Sequence, residues 1–333
     1  MKKTVALIYG GEGYEREISI KSAENLSPMI DRQLYELLSV EIEKDGSWYI
    51  IYKDRKSAAF PVKMGNSSGL FSEGKIIPVD CAIPCLHGDF GEDGVIQGAL
   101  TAAHISYIGQ DVYASGATSD KIYTKAIAEA LMIPTAKYIL LSGEDFHAAE
   151  SLANKALGYP MFLKPARLGS SYGAHPVYNK KEFEKAYSDA ISYAERIIAE
   201  ELISFDYEVE CALFEDENIR LLPNGRILSS GTFYDYSEKY IQNNRTLTEI
   251  SQDYDAEIQQ KIYDYSSKLT KAIGLRHLAR IDYFVTESKE IIFNEINVFP
   301  GMTKSSLYPR ITEMLGLQSG EFINKLIYAR CGA

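Results

Sequence analysis

Cysteine is scarce, with four in 333 residues, and two of these, Cys81 and Cys85, sit inside the apolar run 81–86. That placement favours packing over metal or redox chemistry and predicts reduced, structural thiols. Positive charge is in deficit. Lys and Arg number 35 against 46 Asp and Glu, a net charge of −11. Nonspecific binding to nucleic acid or to an anionic membrane is thereby disfavoured. Any anionic ligand must be held by local cations, because the global field repels it. No apolar run approaches the ~20 residues of a membrane span. The apolar stretch 4–9 stops at Gly10-Gly11-Glu12, too short for the core of a signal peptide, and reads as a buried first strand. Internal repeats, low-complexity tracts and long polar linkers are also missing.

What is present alternates strand and helix. A strand at 4–9, a turn at 10–13 and a helix at 15–26 are followed by strands at 38–43 and 79–86. A short helix at 93–103 closes on the segment 105–108. This order argues for an α/β unit with an open, mostly parallel sheet. A second unit begins near Ser119, a candidate N-cap for a helix ending before Ile133-Pro134. Phe146, Leu152, Ala153 and Ala156 form a helical stripe, and 161–165 is a strand leading into a loop at 166–174. Asn179 with Glu182 has the form of a capping box, opening a helix with Phe183, Tyr187, Ala190, Ile191 and Ala194 on its buried face. The third unit is strand-rich: 208–213, 219–222, 226–233, 278–285 and 290–297. It has one long helix at 256–273 ending at Gly274, and Ser319 is a candidate N-cap for a closing helix.

The chemistry concentrates in 278–297. Side chains alternate along a strand, so Arg280 and Asp282 share one face, and Glu295 and Asn297 share a face of the next. A hairpin turn at 287–290 would set Asp282 opposite Glu295 and Arg280 opposite Asn297. Two carboxylates and an amide oxygen are hard ligands suited to Mg²⁺, although a solvated face with cross-strand ion pairs would look the same. Gly301 opens a loop with Thr303, Ser305 and Ser306, donors able to hold a carboxylate or an oxyanion. Lys121 sits in a first helical turn. Lys164 closes an apolar strand just before the Gly169-Ser170-Ser171-Tyr172-Gly173 loop. Lysine is rarely buried without a partner, and a phosphate oxygen would serve as one. The loop is not a P-loop, because no Gly-Lys-Ser/Thr follows it. A long polar segment from 232 to 253 carries Lys239 and Tyr240 and reads either as a lid or as an unstructured loop. After the first strand, Arg16 occupies the place of the third glycine in a dinucleotide fingerprint, which argues against NAD or FAD. Glu15 is either a dipole-favoured acid or an ammonium ligand. His87 ends a strand where α/β sheets face their ligands, but it also fits a structural role.

Together these residues resemble the D-alanine–D-alanine ligases of the ATP-grasp superfamily over essentially the whole chain. The motifs are Gly10-Gly11-x-x-x-Glu15-Arg16-Glu17-Ile18-Ser19, Leu86-His87-Gly88-x-Phe90-Gly91-Glu92-Asp93-Gly94, Asp120-Lys121, Lys164-Pro165 and Gly169-Ser170-Ser171-x-Gly173. They continue with Phe233-Tyr234-Asp235-Tyr236-x-x-Lys239-Tyr240, Arg280-Ile281-Asp282 and Asn294-Glu295-Ile296-Asn297-x-x-Pro300-Gly301-Met302-Thr303-x-x-Ser306-Leu307. Each piece is weak alone; their common order is specific.

The resemblance implies an ATP-grasp fold preceded by an N-terminal open, mostly parallel α/β (Rossmann-like) domain. Its divisions would be 1–112, 113–200 and 201–333. It also implies ATP as substrate, with two Mg²⁺ or Mn²⁺ ions on Asp282, Glu295 and Asn297. Lys121, Lys164 and Lys239 would neutralise phosphates, Glu208 would hold the ribose, and Glu201 or its neighbour Glu200 the adenine. Glu15 would bind the first D-alanine within a set joining Ser170 and Tyr240. Arg280 and the Gly301 N–H would stabilise an oxyanion. Ser306 and Leu307 would contact the second D-alanine, with His87 near the substrates. A cytoplasmic homodimer making peptidoglycan precursors is expected, without nucleic-acid or membrane partners. Tyr240 and Leu307 resemble the dipeptide-forming type. A D-serine or D-lactate ligase, a ligase for another amino-acid pair and a non-catalytic nucleotide-binding regulator are the alternatives. The stretch 200–208 lacks the family's usual glycine, and Val298-Phe299 and Ala174-His175-Pro176 are atypical.

Overall fold

The computed structural model describes residues 2–53, 55–229, 246–251, 254–318 and 320–332. The apolar run after Lys2 forms β1 (Lys3–Gly10), and α1 (Arg16–Leu26) follows it. Next come β2 (Tyr35–Ile42), β3 (Trp48–Tyr52), β4 (Arg55–Met64), β5 (Ser67–Ser72), β6 (Lys75–Pro78) and β7 (Cys81–Pro84). They make one sheet in the order β6-β5-β4-β3-β2-β1-β7. The parallel pairing expected from sequence holds for β2-β1-β7. The meander β3–β6 extends the sheet antiparallel, so the sheet is mixed rather than mostly parallel. The meander escaped sequence reading because Phe60, Met64 and Tyr52 are exposed and Gly69 interrupts β5, which blurs the two-residue alternation.

Then come α2 (Val95–Ala102), α3 (Val112–Ser119) and α4 (Lys121–Ala130). The cap of α4 is Asp120, whose side chain accepts from the Ile122 N–H; Ser119 instead ends α3. A second, antiparallel sheet has the order β10-β9-β11-β8, from β8 (Tyr138–Ser142), β9 (Met161–Pro165), β10 (His175–Val177) and β11 (Arg196–Glu201). Two helices cover it, α5 (Phe146–Ala156) and α6 (Lys180–Tyr193). In α5 the buried positions are Ala149, Glu150 and Ala153; Leu152 lies outside the stripe and is exposed. The Asn179 side chain caps α6 at the Glu182 N–H, and Glu182 reaches back to the Tyr178 N–H and the Asn179 side-chain amide, a variant of the capping box shifted by one residue. Phe183, Ala186, Tyr187 and Ala190 are its buried i, i+3, i+4, i+7 set. Ile191 falls on the exposed flank, and Ala194 lies beyond the helix.

The third sheet is antiparallel in the order β14-β13-β12-β15-β16. Its strands are β12 (Tyr207–Glu215), β13 (Ile219–Ser229), β14 (Thr246–Ile250), β15 (Leu278–Val285) and β16 (Ile291–Asn297). The two strands expected at 219–222 and 226–233 are the single strand β13 as far as the described residues extend. One face of this sheet packs on α7 (Ala256–Ile273) through Ile258, Ile262 and Leu269. Gly274 ends α7 at φ +80°, a left-handed conformation in which a side chain is strained. The other face meets α8 (Leu307–Thr312). Finally, α9 (Glu321–Cys331) has Gly320 at its N-cap position; Ser319 lies outside the described residues. Phe322, Ile323, Leu326 and Ile327 of α9 join one core with Val5, Leu7 and Ile83 of the first sheet. A Cys81–Cys331 disulfide fastens the same contact. This corrects the expectation of reduced thiols: two cysteines 250 positions apart give no local pattern to read. Cys85 and Cys211 are free and buried. Among the described residues no helix is long and apolar enough to cross a membrane.

Candidate active site

The site begins at the β15–β16 hairpin. Asp282 lies opposite Glu295, and Arg280 opposite Asn297, as the sequence arithmetic required. The route to that register differs from the expected one. Near the turn the pairing is Val285 with Ile291 and Tyr283 with Phe293, one residue out of step. A bulge at Asn294 absorbs the offset and turns both Asn294 and Glu295 toward the open side of the sheet. Arg280 grips Asp282 in a two-pronged hydrogen bond of 2.8 and 2.7 Å and lies 3.5 Å from Glu210. Burial pulls the Arg280 pKa down, but the Asp282 and Glu210 carboxylates more than reverse it, so the guanidinium stays charged. Asn297 Nδ2 donates to Asp282 at 2.9 Å.

A cleft separates the second and third sheets. One end is apolar, lined by Phe162, Leu202, Ile203 and the stacked pair Phe205–Phe284 with centroids 4.7 Å apart. The other end holds Lys121 and Lys164. Lys164 Nζ is 2.9 Å from Glu200 and 3.2 Å from Asn294; Lys121 Nζ is 2.8 Å from the Leu168 carbonyl and 3.4 Å from Glu295. A planar apolar group with an anionic tail fits this polarity. Glu208 and Glu201 line the same cleft. Glu201 accepts from the Lys137 N–H at 2.8 Å, whereas Glu200 is buried between lysines.

A second cavity opens at the lysine end. It is lined by Glu15, His87, Arg280, Asn297, Gly301, Ser306 and Leu307, and it shares Gly169, Ser170 and Glu295 with the first. Glu15 is buried just ahead of α1, and burial pushes its carboxyl pKa up. Ser170 donates to Glu15 Oε1, while Oε2 has no hydrogen-bond partner among the described residues. Gly88 stands at φ +68°, where an added Cβ would collide with that Oε2. Ser170 and Ser171 sit at φ +50° and +59°, strained for residues with side chains, so the surrounding structure holds this loop in place. His87 is buried with Nε2 3.0 Å from Ser22 Oγ; burial drives its pKa to about 4, so it is neutral at physiological pH. Ser306 Oγ is 2.8 Å from Thr303 Oγ1.

Sequence reading placed all the described candidates around these two cavities except Asp282, which sits behind Arg280. Lys239 and Tyr240 lie outside the described residues. It missed Glu92, which lines the second cavity and accepts from the Gly88 and Phe299 N–H groups at 2.8 and 3.1 Å. Burial first, and Glu15 second, push its pKa to about 8. Glu92 stood inside a quoted motif, but nothing in a sequence says that an acid will be buried. The Arg16 side chain answers the fingerprint question: it pairs with Glu41 at 2.7 Å and Glu43 at 3.0 Å and fills the turn after β1.

The three sheets, the cleft between the last two and the hairpin carboxylates define an ATP-grasp ligase. The families described as "D-ala D-ala ligase N-terminus" and "D-ala D-ala ligase C-terminus" match residues 4–110 and 127–328. The chain is 33% identical to the D-alanine–D-alanine ligase of Thermoanaerobacter sp. (strain X514), over 98% of this chain and 96% of that protein. Among solved structures it is similar to D-alanyl-alanine synthetase A from Vibrio cholerae, with a TM-score of 0.87 and 30% identity over 100% of this chain and 99% of that one. It is also similar to VanG D-Ala:D-Ser ligase from Enterococcus faecalis, with a TM-score of 0.86 and 30% identity over 98% and 99%. The chain belongs to the D-alanine–D-alanine ligase family.

Proposed function

We propose that the protein condenses two D-alanines at the expense of ATP, through a D-alanyl phosphate, for peptidoglycan precursor synthesis. One observation carries this: the amphipathic cleft and the polar cavity meet at Gly169, Ser170 and Glu295, so a terminal phosphate and an amino-acid carboxylate would share that junction. The adenine would lie by Phe205, Phe284 and Glu201, and the ribose by Glu208. Lys121, Lys164 and Lys239 would take the phosphates. Glu15, with its uncommitted oxygen, would bind the first D-alanine's ammonium, with Ser170 and Tyr240 completing the set. Ser306 and Leu307 would seat the second D-alanine, and neutral His87 would border it.

The first carboxylate attacks the γ-phosphorus and ADP leaves. The second D-alanine's neutral amine then attacks the acyl carbon, and the tetrahedral intermediate breaks its C–O bond to phosphate, which departs as hydrogen phosphate with the proton the amine gives up. The oxyanion needs donors, which Arg280 and the Gly301 N–H would supply. Asp282, Glu295 and Asn297 are hard oxygen donors on one strand pair and fit Mg²⁺ or Mn²⁺. Asp282 Oδ1 keeps a lone pair beyond its Arg280 bond, whereas Oδ2 accepts from both Arg280 and Asn297. Two such ions, when bound, would screen the phosphates from the incoming carboxylate. We further read the domains as 1–112, 113–200 and 201–333, and the protein as a cytoplasmic homodimer without nucleic-acid or membrane partners.

The similarity to a D-Ala:D-Ser ligase makes D-serine the second reading. A phosphate-release assay across D-alanine, D-serine and D-lactate decides. The expected result is ADP and phosphate release dependent on D-alanine and abolished by Glu295→Gln in a folded protein. D-serine or D-lactate outcompeting D-alanine near neutral pH overturns the substrate assignment.

A further inference from the structure

Lys125 has no role in the chemistry above, yet it is among the most deeply buried charges of the protein. It lies one turn beyond Lys121 on α4 and is 1% exposed. Its Nζ is 2.8 Å from Glu200 Oε1 and stands over the Tyr138 ring. The other Glu200 oxygen is 2.9 Å from Lys164 Nζ. Glu200 and Lys164 are diagonal neighbours on β11 and β9, where Ile198 pairs with Lys164 and Glu200 with Phe162. One buried carboxylate thus sits between two buried lysines, and the trio carries a net charge of +1.

A single lysine would satisfy Glu200 as an ion pair. With Lys164 as its sole partner, however, the pair would be neutral, and the positive charge at the cleft would be spent on a carboxylate. Burial favours the neutral form of Glu200, but Lys125 and Lys164 outweigh it and hold its pKa at about 2. Burial also lowers the Lys164 pKa, yet Glu200 and Glu295 raise it above the ordinary lysine value, while burial leaves that of Lys125 below. Of the two, Lys164 keeps its proton more firmly, and Lys164 is the one lining the nucleotide cleft.

We infer that Lys125 is a positioning residue: it neutralises Glu200 from behind, so that Glu200 can fix Lys164 in place without cancelling its charge toward the nucleotide polyphosphate. This rests on the reading of Lys164 as a phosphate ligand. The effect is electrostatic, so it depends on the charge of Glu200 and not only on packing.

A charge-neutralisation cycle on the full chain tests this. Lys125→Met should raise KM for ATP about tenfold and weaken ADP binding in calorimetry alike, leaving KM for D-alanine within about twofold. Lys125→Arg should restore ATP affinity. The double variant Lys125→Met/Glu200→Gln removes both charges and should recover most of the ATP affinity lost in Lys125→Met. It keeps the net charge of +1, now on Lys164, whereas Lys125→Met leaves a neutral Glu200–Lys164 pair; Lys125→Arg, which keeps all three charges, remains informative if Lys125→Met folds poorly. An unchanged KM for ATP in Lys125→Met, or a double variant no better than the single, overturns the inference. Lys164→Met separates the two levels. If it binds ATP like the wild type, the phosphate-site reading falls and takes this inference with it. If it loses ATP affinity while Lys125→Met does not, only the role of Lys125 falls.

Discussion

Ser170 donates a hydrogen bond to Glu15 across 155 positions of sequence, tying the Gly-rich loop to the start of α1. The other Glu15 oxygen is buried and has no hydrogen-bond partner among the described residues, and Glu15 lines the second cavity. Glu15→Gln should therefore lower kcat/KM for D-alanine by about 10²-fold, the scale of removing one partner of a buried charge pair. ADP binding in calorimetry should be nearly unchanged. Wild-type kcat/KM in this variant would remove Glu15 from the substrate site.

Arg280 lines the second cavity and holds Asp282 with two prongs. Lysine cannot reproduce that fork. Arg280→Lys should cut kcat by about 10²–10³, the loss seen when one oxyanion donor is removed. Steady-state kinetics beside a melting curve checks this, since a fall in kcat without loss of fold is the expected pattern.

Gly88→Ala should couple stability to catalysis. The new methyl would strain a backbone at φ +68° and press on Glu15 Oε2. A loss of about 1–2 kcal/mol is expected, with a raised KM for D-alanine. Denaturant titration with parallel kinetics reads both.

His87 gives a pH signature. Its pKa in the folded protein is about 4, below the ordinary 6.5, because burial disfavours the imidazolium. Below pH 6.5 the unfolded chain takes up a proton that the folded one refuses. The stability contribution is therefore complete above pH 6.5 and is lost as pH falls toward 4, by up to about 3 kcal/mol. His87→Gln should flatten that part of the stability–pH curve. A wild-type slope in the variant would assign the effect elsewhere.

Alkylation of the denatured, unreduced protein should modify Cys85 and Cys211 and spare the Cys81–Cys331 pair. Four modified cysteines in mass spectrometry would show the bond unformed. Disulfides are rare in reducing compartments, so this count also bears on the proposed cytoplasmic location.

How much of this was legible in the sequence depended on range. Local signals carried well: the Asn179–Glu182 box, the bounds of α7 and the strand parity that put Arg280 with Asp282. The Asp282–Glu295 pairing was right at the site, but only because the Asn294 bulge offset an error at the turn, and bulges leave little trace in composition. Ser119 lost the α4 cap to Asp120, an equally good capping residue one position on. Long-range burial did not carry. Lys125 looks like any helical lysine until β11 brings Glu200 beside it, and the mate of Cys81 lies a whole fold away.

The shared core of β1 and α9 has a consequence for biosynthesis. Strand β7 leaves the ribosome about 247 residues before Cys331, a delay on the order of 10–50 s at ordinary elongation rates. Throughout that interval the face of the first sheet holding Val5, Leu7 and Ile83 waits for its cover. The unit that is translated first is thus completed last, and nascent chains stalled before residue 321 should be the species that chaperones hold.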